Sequence, residues 1–521
     1  MLLNHYFTMK KATFYFGLIC IFFHINVYSQ SYNLPLEYFY RNLYLKYLGT
    51  DTVVHTVFEP LQADMVNWNF PHKHYKNKFL EWLFNKNQVV LVHNKLHLYG
   101  NLLFDFYKGR NKGDTNTYWR NTRGFQIFGY VGNRLSFYTD FYENQEAFLP
   151  YIYDRVEYTD VIPGRANWKD FKDYSKDFNY SSGYISFDWT PSFNIQLGQS
   201  KFFIGDGYRS LFLSDNSYSY PFLKFDYRKG NWRYISIFTE FTDFRGRYYA
   251  YHIKRHSTIN VLSFARKHFE FSLLEGILWH TSDDSTYIKR FPFLYFIPIP
   301  FLREPFILRE KHNFLLGINL RFTPLRYFDL YGQFVLDKKA FIYKKDFWAY
   351  QAGVKFYDLF FNHFSGVNLF VSAEYNYAAP YMYFGNEKYE NWVHYNQPLA
   401  HVEGADFKEF VLNTSLKLQN LLFLCRYGSI LTDEDTTGTN FGKDLFKEAN
   451  GVFIIKKVGE KNPTFVKNIY FKLAYIVNYH YNFEVFVAYQ MRKFRNNITQ
   501  NQINFVFFGI KTNLSNFYYD F

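Results

Sequence analysis

The sequence predicts an all-β protein, a large antiparallel transmembrane β-barrel behind a short helical N-terminal segment. Three observations carry this reading. Hydrophobic residues make up 48% of the 521, yet mean hydropathy is −0.30, so apolar residues are diluted one by one with polar ones. From Lys95 onward, runs of about ten residues alternate with period two, which is the length a tilted strand needs to cross a bilayer. Aromatic residues reach 24%, with Tyr and Trp at run ends, where a barrel places its interfacial girdles. The same composition excludes other classes. Disordered chains are poor in aromatics, 28 Gly and 15 Pro are too few for collagen, and two Cys cannot build a disulfide scaffold.

Residues 1–29 have the layout of an export signal. Lys10 and Lys11 precede the charge-free run Ala12–Phe23, and Val27-Tyr28-Ser29 offers a cut after Ser29. The run is shorter than the roughly 20 residues of a membrane-spanning helix. An exported barrel belongs in the outer membrane, and after cleavage Cys425 is its one thiol. Residues 30–92 read as a helical N-terminal periplasmic segment, or as a loose leader before the first strand. Leu34, Tyr38, Arg41, Leu45 and Leu48 recur by threes and fours behind Pro35, and Lys78–Asn85 is a second helical candidate.

Residues 93–521 read as the barrel. In Asn313–Phe322 the apolar face is Phe314, Leu316, Ile318, Leu320 and Phe322, and Asn319 and Arg321 lie on the other. The same pattern fills Phe347–Tyr357, Val367–Tyr377, Phe410–Leu418, Ile469–Val477 and Phe483–Met491. The apolar face is assigned to lipid and the mixed face to a wet lumen; a soluble sandwich also alternates but rarely joins so many long strands to this aromatic load. The runs add up to about 16 to 18 strands, and of these even numbers 18 is the expectation. Long links near 146–182, 201–220, 281–311, 379–406 and 431–465 are assigned to the outside, and short ones such as Thr323–Arg326 to the periplasm. The aromatic-rich Phe505–Phe521 reads as a closing strand.

The segment with the most chemistry is Phe202–Pro221, which holds Gly205, Asp206, Gly207, Tyr208, Arg209, Ser210, Ser214 and Asp215. Charged loops cannot rest in lipid. The expectation is an inward fold in which Arg209 pairs with its nearest carboxylates in sequence, Asp206 or Asp215. Such a loop either braces a plug or binds a sugar or anion. No GxxxxGK[ST], GxSxG, HExxH or CxxC pattern is present, so no catalytic residue, metal or cofactor is expected, and the chain reads as non-enzymatic. His72 and His74 lack further ligands nearby, and Asp433-Glu434-Asp435 reads as a solvated loop tip.

The net charge is +13, with clusters such as Arg266-Lys267-His268 and Lys344-Lys345. Behind an export signal this argues against nucleic acid. It suits outer-membrane lipid and lipopolysaccharide, acidic surface polysaccharide, or other surface and motility proteins. Basic groups that merely line the lumen and rims account for it equally well.

Gly205 to Leu211, Ser214-Asp215-Asn216 and Tyr220-Pro221-Phe222, with His55-Thr56, Glu59-Pro60 and the ending Gly509–Leu514 to Tyr518–Phe521, resemble the RemB-like gliding-motility outer-membrane proteins. More distantly, the layout of a short helical segment and a large barrel is similar to the capsule-assembly Wzi-like family. The first resemblance implies a cell-surface role in motility or adhesion, and the second implies retention of surface polysaccharide. Neither supplies a catalytic residue. The competing expectation is an outer-membrane channel or porin-like transporter.

Overall fold

A computed structural model describes residues 32–38, 41–42, 54–62 and 74–521, apart from 173, 245–251, 281–311, 326, 344–346, 359–365, 386–387, 436–438, 447–452, 455 and 515. The export signal, Leu45, Leu48, His72 and Lys344-Lys345 lie outside the described residues.

Eighteen long strands close into one antiparallel ring. In chain order they are β1 Leu96–Asn111, β2 Thr117–Val131, β3 Leu135–Ala147, β4 Ser175–Thr190, β5 Phe193–Ser200 and β6 Tyr220–Lys229. Next come β7 Trp232–Asp243, β8 Ile253–Arg266, β9 Phe269–His280, β10 Asn313–Leu325, β11 Phe328–Asp337 and β12 Trp348–Tyr357. The ring is completed by β13 Val367–Ala378, β14 Phe407–Leu418, β15 Leu421–Asp433, β16 Pro463–Asn478, β17 Phe483–Arg495 and β18 Gln500–Lys511. Each strand pairs with its sequence neighbours, and β18 closes on β1 from Phe505↔Asn111 to Lys511↔Asp105. Two short strands, Val89–His93 and Lys169–Asp170, lie against β1 and β4 without interrupting the ring.

The face assignments follow the alternation. On β10, Ile318, Leu320 and Phe322 are exposed to the outside, whereas Asn319 is buried and bonds into the lumen. On β13 the burial alternates without a break, with Asn368, Phe370, Ser372, Glu374 and Asn376 inward. Closing the ring pairs the first strand with the last, and the outward apolar band meets lipid, where every backbone polar group must be satisfied internally.

The two ends of the barrel differ. β2–β3, β4–β5, β6–β7, β8–β9, β10–β11 and β14–β15 are joined by two- or three-residue turns at one end, which is therefore the periplasmic one. The long connections 148–174, 379–406 and 434–462 belong to the other end, where β9 also ends and β10 begins. Two further helices are α1 Lys78–Asn85 and α2 Pro150–Thr159. α1 sits at the periplasmic end, where the side-chain amide of Asn478 donates to the carbonyls of Leu83 and Lys86.

The lumen is filled by the chain itself. Of the segment 30–92, the described residues from 32 to 62 pack inside the ring: Phe58–Glu59 pairs with Phe203–Ile204, Asn33 N donates to the Tyr184 hydroxyl, and Tyr38 lies 3.1 Å from Ser372. The stretch after Lys511 does not continue the wall to Phe521 as a closing strand. It turns inward, where Tyr518 and Phe521 are buried. The reason is Asp520, a carboxylate that lipid would not accept and that the lumen supplies with Arg209 and Arg426.

Candidate functional site

The loop between β5 and β6, residues 201–219, leaves the outer end of β5 and descends into the lumen, as its charge requires. It is buried almost throughout. Gly205 has φ +144°, which favours glycine. At Gly207 an added Cβ would stand 2.3 Å from Glu374 Oε2 and 2.7 Å from the Gln351 amide. Glycine here lets the backbone reach the wall. The Glu374 carboxylate accepts from Tyr208 N at 2.7 Å and Arg209 N at 3.1 Å, and also from the Tyr331 hydroxyl.

What receives the loop is a rung of side-chain amides around the inner wall. Asn319 of β10 is in register with Gln333 of β11, Gln333 with Gln351 of β12, Gln351 with Asn376 of β13, and Asn376 with Glu409 of β14. Each takes part of the loop or braces its neighbour. Asn319 Nδ2 donates to Asp206 at 2.8 Å. Gln333 accepts from Leu211 N and donates to Ile204 O. Gln351 donates to Arg209 O at 2.8 Å and to Asn376. Asn376 holds the Glu374 and Glu409 carboxylates. Loop 379–406 covers the other side, with Tyr383 and Trp392 donating to the carbonyls of Leu211 and Phe212.

Arg209 points inward, but neither Asp206 nor Asp215 is its partner. Its guanidinium binds Glu409 through Nη2 at 2.9 Å and Nε at 3.2 Å, and reaches Asp520 at 3.2 Å. The two nearby carboxylates are engaged elsewhere. Asp206 accepts from Thr56 Oγ1 at 2.7 Å and from Asn319. Burial alone would raise its pKa, but Arg321, Lys355 and Arg41 together hold it below the usual range. Asp215 accepts from the Tyr518 hydroxyl at 2.7 Å and from Asn516, and burial pushes its pKa up. Ser210 is a turn brace: its hydroxyl donates to Ile204 O and accepts from Phe212 N and Leu213 N. Ser214 is buried, with its backbone N bonded to Leu399 O. Tyr208 donates its hydroxyl to Asp520 at 2.8 Å.

Three distant stretches of sequence therefore meet. His55–Pro60 docks on the loop through Thr56 and the Phe58–Ile204 pairing, and the C-terminal tail docks through Tyr518 and Asp520. Arg41 locks the front, donating to the carbonyls of Gly205 and Gly207 while paired with Glu59, whose burial lifts its pKa to about 7. Sequence reasoning placed Asn319 and Arg321 on the inward face but did not single out Glu374, Glu409, Arg41, Gln333 or Asp520. Inward Gln and Asn on successive strands were the available signal.

Beside the C-terminal tail lies a cavity of about 250 Å³, walled on one side by β15 to β18 and β1. Tyr107, Tyr208, Tyr470 and Phe507 give it aromatic walls, and Arg120, Arg426 and Lys472 give it charge. Asp105 Oδ1, Asn468 Oδ1, Asn482 Oδ1 and Asp520 Oδ1, all on lining residues, make no hydrogen bond among the described residues. Among those residues no group of three or more His, Cys, Asp or Glu could hold a metal ion.

Fold and site together define an outer-membrane-type barrel closed by an internal plug. No family model matches the sequence, and no curated protein matches it. Among solved structures the chain is similar to Wzi of Escherichia coli, described as an outer membrane protein involved in group 1 capsule assembly and a carbohydrate-binding β-barrel. The TM-score is 0.55 at 12% identity, over 93% of this chain and 100% of that one. OpdK of Pseudomonas aeruginosa, solved with vanillate, and OccAB2 of Acinetobacter baumannii each give a TM-score of 0.44 over 80% of this chain, at 8% and 9% identity.

Proposed function

We propose that this chain is a non-enzymatic outer-membrane protein of the cell surface that retains surface polysaccharide, with a role in gliding motility or adhesion as the RemB-like resemblance implies. The observation that carries the reading is the filled lumen. An eighteen-stranded ring is wide enough to hold water, yet its lumen is occupied by the 201–219 loop, whose Arg209, Asp206 and Asp215 are all bonded inside the protein. A wall built so wide and then filled suits a platform for large loops better than an open pore. The carbohydrate binding stated for Wzi supports polysaccharide as the partner class, and the aromatic walls of the cavity suit the faces of sugar rings. Lipopolysaccharide and acidic surface polysaccharide are the proposed partners.

The test is a gene deletion scored for spreading and capsule retention together, joined to binding of the purified barrel to isolated surface polysaccharide. Loss of neither trait, with no binding, overturns the proposal. A second reading, a selective channel, draws on the same cavity, because it runs beside the tail from Asn482 at the periplasmic turn toward Gln490 and Ile152. Steady current through the wild-type protein in planar bilayers favours that reading.

A further inference from the structure

At the periplasmic rim, α1 and the short strand after it present an apolar surface that no described residue covers. No residue of α1 is buried. Phe79 is 62% exposed, Leu80 and Trp82 are exposed beside it, and Val89 to Val92 are each about half exposed. A helix that plugged the barrel would bury this face.

The helix is nevertheless built and fixed. Asn77 caps its start by accepting from Phe79 N at 2.8 Å and Leu80 N. Glu81 ties its polar side to Tyr75 N and the Asn85 amide. Asn478, the buried last residue of β16, binds the last carbonyls of the helix. The strand Val89–His93 then runs along the part of β1 below the point where β18 departs, pairing Val89↔Gly100 to His93↔Leu96. The surface is thus joined to the lipid-facing wall, whose nearby strand ends expose Tyr475, Val485 and Leu102 outward.

We infer that α1 and the outward side chains of the short strand, Val89 and Leu91, which share a face with Leu98 and Leu102, form an interfacial anchor seated in the phospholipid of the periplasmic leaflet. Continuity with the lipid band selects lipid over a protein partner. The chemistry agrees. The Trp82 indole N–H already donates to Gln88 O at 2.9 Å, so the ring can enter the headgroup boundary without leaving a donor unpaired. His74, Lys76, Lys78 and Lys86, all exposed around the helix, match phosphate headgroups. The anchor goes beyond the polysaccharide reading and does not depend on it.

The experiment places single cysteines in full-length protein lacking Cys20 and Cys425, each labelled with an environment-sensitive fluorophore. The protein is reconstituted in phosphatidylethanolamine–phosphatidylglycerol vesicles carrying a nitroxide high on the acyl chain. Phe79→Cys and Leu91→Cys are the probes. Leu197→Cys, on the exposed face of β5, is the lipid reference, and Asn133→Cys, in the short β2–β3 turn, is the aqueous one. The probes are expected to be quenched by the nitroxide several-fold more than Asn133→Cys, and by aqueous iodide several-fold less. Quenching equal to that of Asn133→Cys overturns the anchor. So does cross-linking of Phe79→Cys into a dimer, which would assign the face to a second copy. All four sites are exposed, and heat modifiability verifies that each barrel is folded.

Discussion

Arg209→Ala tests whether the loop is locked inside the lumen by charge. Removing one member of a buried ion pair costs about 3–5 kcal/mol because the other is left uncompensated. The structure puts this case at the lower end. Glu409 keeps His401 Nε2 at 2.7 Å and Asn376 at 3.0 Å, and Asp520 keeps the Tyr208 hydroxyl at 2.8 Å. At about 3 kcal/mol, and about 1.4 kcal/mol per factor of ten, the open fraction of the plug rises about 100-fold. Proteinase K cleavage within 201–219 reads that fraction when the loop recloses faster than it is cut. Heat modifiability should be unchanged, since the wall is intact. Glu409→Gln added to Arg209→Ala removes the stranded charge and should recover about tenfold, a coupling of about 1.4 kcal/mol. Planar-bilayer conductance should rise with the single change. Cleavage of Arg209→Ala at the wild-type rate would refute the brace, as would a double variant no better protected than the single one. If polysaccharide binding falls instead, with cleavage and conductance constant, Arg209 serves a ligand.

Gly207→Ala drives a methyl group into Glu374 and Gln351, so it should raise loop cleavage while leaving membrane insertion intact, measured by the same digestion and gel. Glu59 gives the plug a pH dependence. Burial raises its carboxyl from the ordinary 4.5 to about 7, with Arg41 opposing, so the closed state favours the protonated form. That stabilisation is complete below 4.5 and is lost as pH rises through about 7. Protection of the plug amides, corrected for intrinsic exchange, should therefore be greater at pH 5 than at pH 8, and Glu59→Gln should flatten the difference. On the wall, Ile318→Lys faces lipid and should cost about 2–4 kcal/mol if it sits at the bilayer midplane. It would be read as a lower urea midpoint for the folded gel band.

The wall was legible because a strand has a period of two and lipid tolerates no exceptions. One inspection of Asn313–Phe322 assigns Ile318 outward and Asn319 inward, and the structure agrees. The inward descent of 201–219 was legible for the same reason, since its charges exclude lipid. The partners were not. Arg209 lies three residues from Asp206 and six from Asp215, yet it pairs with Glu409, 200 residues away, and with Asp520. Proximity in sequence says little inside a barrel, where strand order and register bring remote residues to one height. The amide rung became visible only through register, because Gln333, Gln351 and Asn376 look like ordinary wet-face residues one strand at a time. The aromatics of Phe505–Phe521 read as a closing strand that runs to the end, but Asp520 decides against the wall beyond Lys511.

The topology also ties the plug to closure of the barrel. The tail begins where β18 ends, and Thr512 N still bonds Phe104 O of β1 before the chain turns inward. β18 lies next to β1 only once the ring is shut, from Phe505↔Asn111 to Lys511↔Asp105. Asp520 is nine residues beyond Lys511, and it meets Arg209, Arg426 and Tyr208 inside the lumen. Before closure, the tail starts from a strand held on one side only, by β17, and its carboxylate has no fixed route to Arg209. After closure, the start of the tail is pinned at the periplasmic rim and the remaining residues span the distance inward. The bond between the last strand and the first therefore also sets the anchor from which the tail locks the loop. The contacts of Glu409 with Arg209 do not need the tail, so the loop can dock first and Asp520 can complete the lock afterwards.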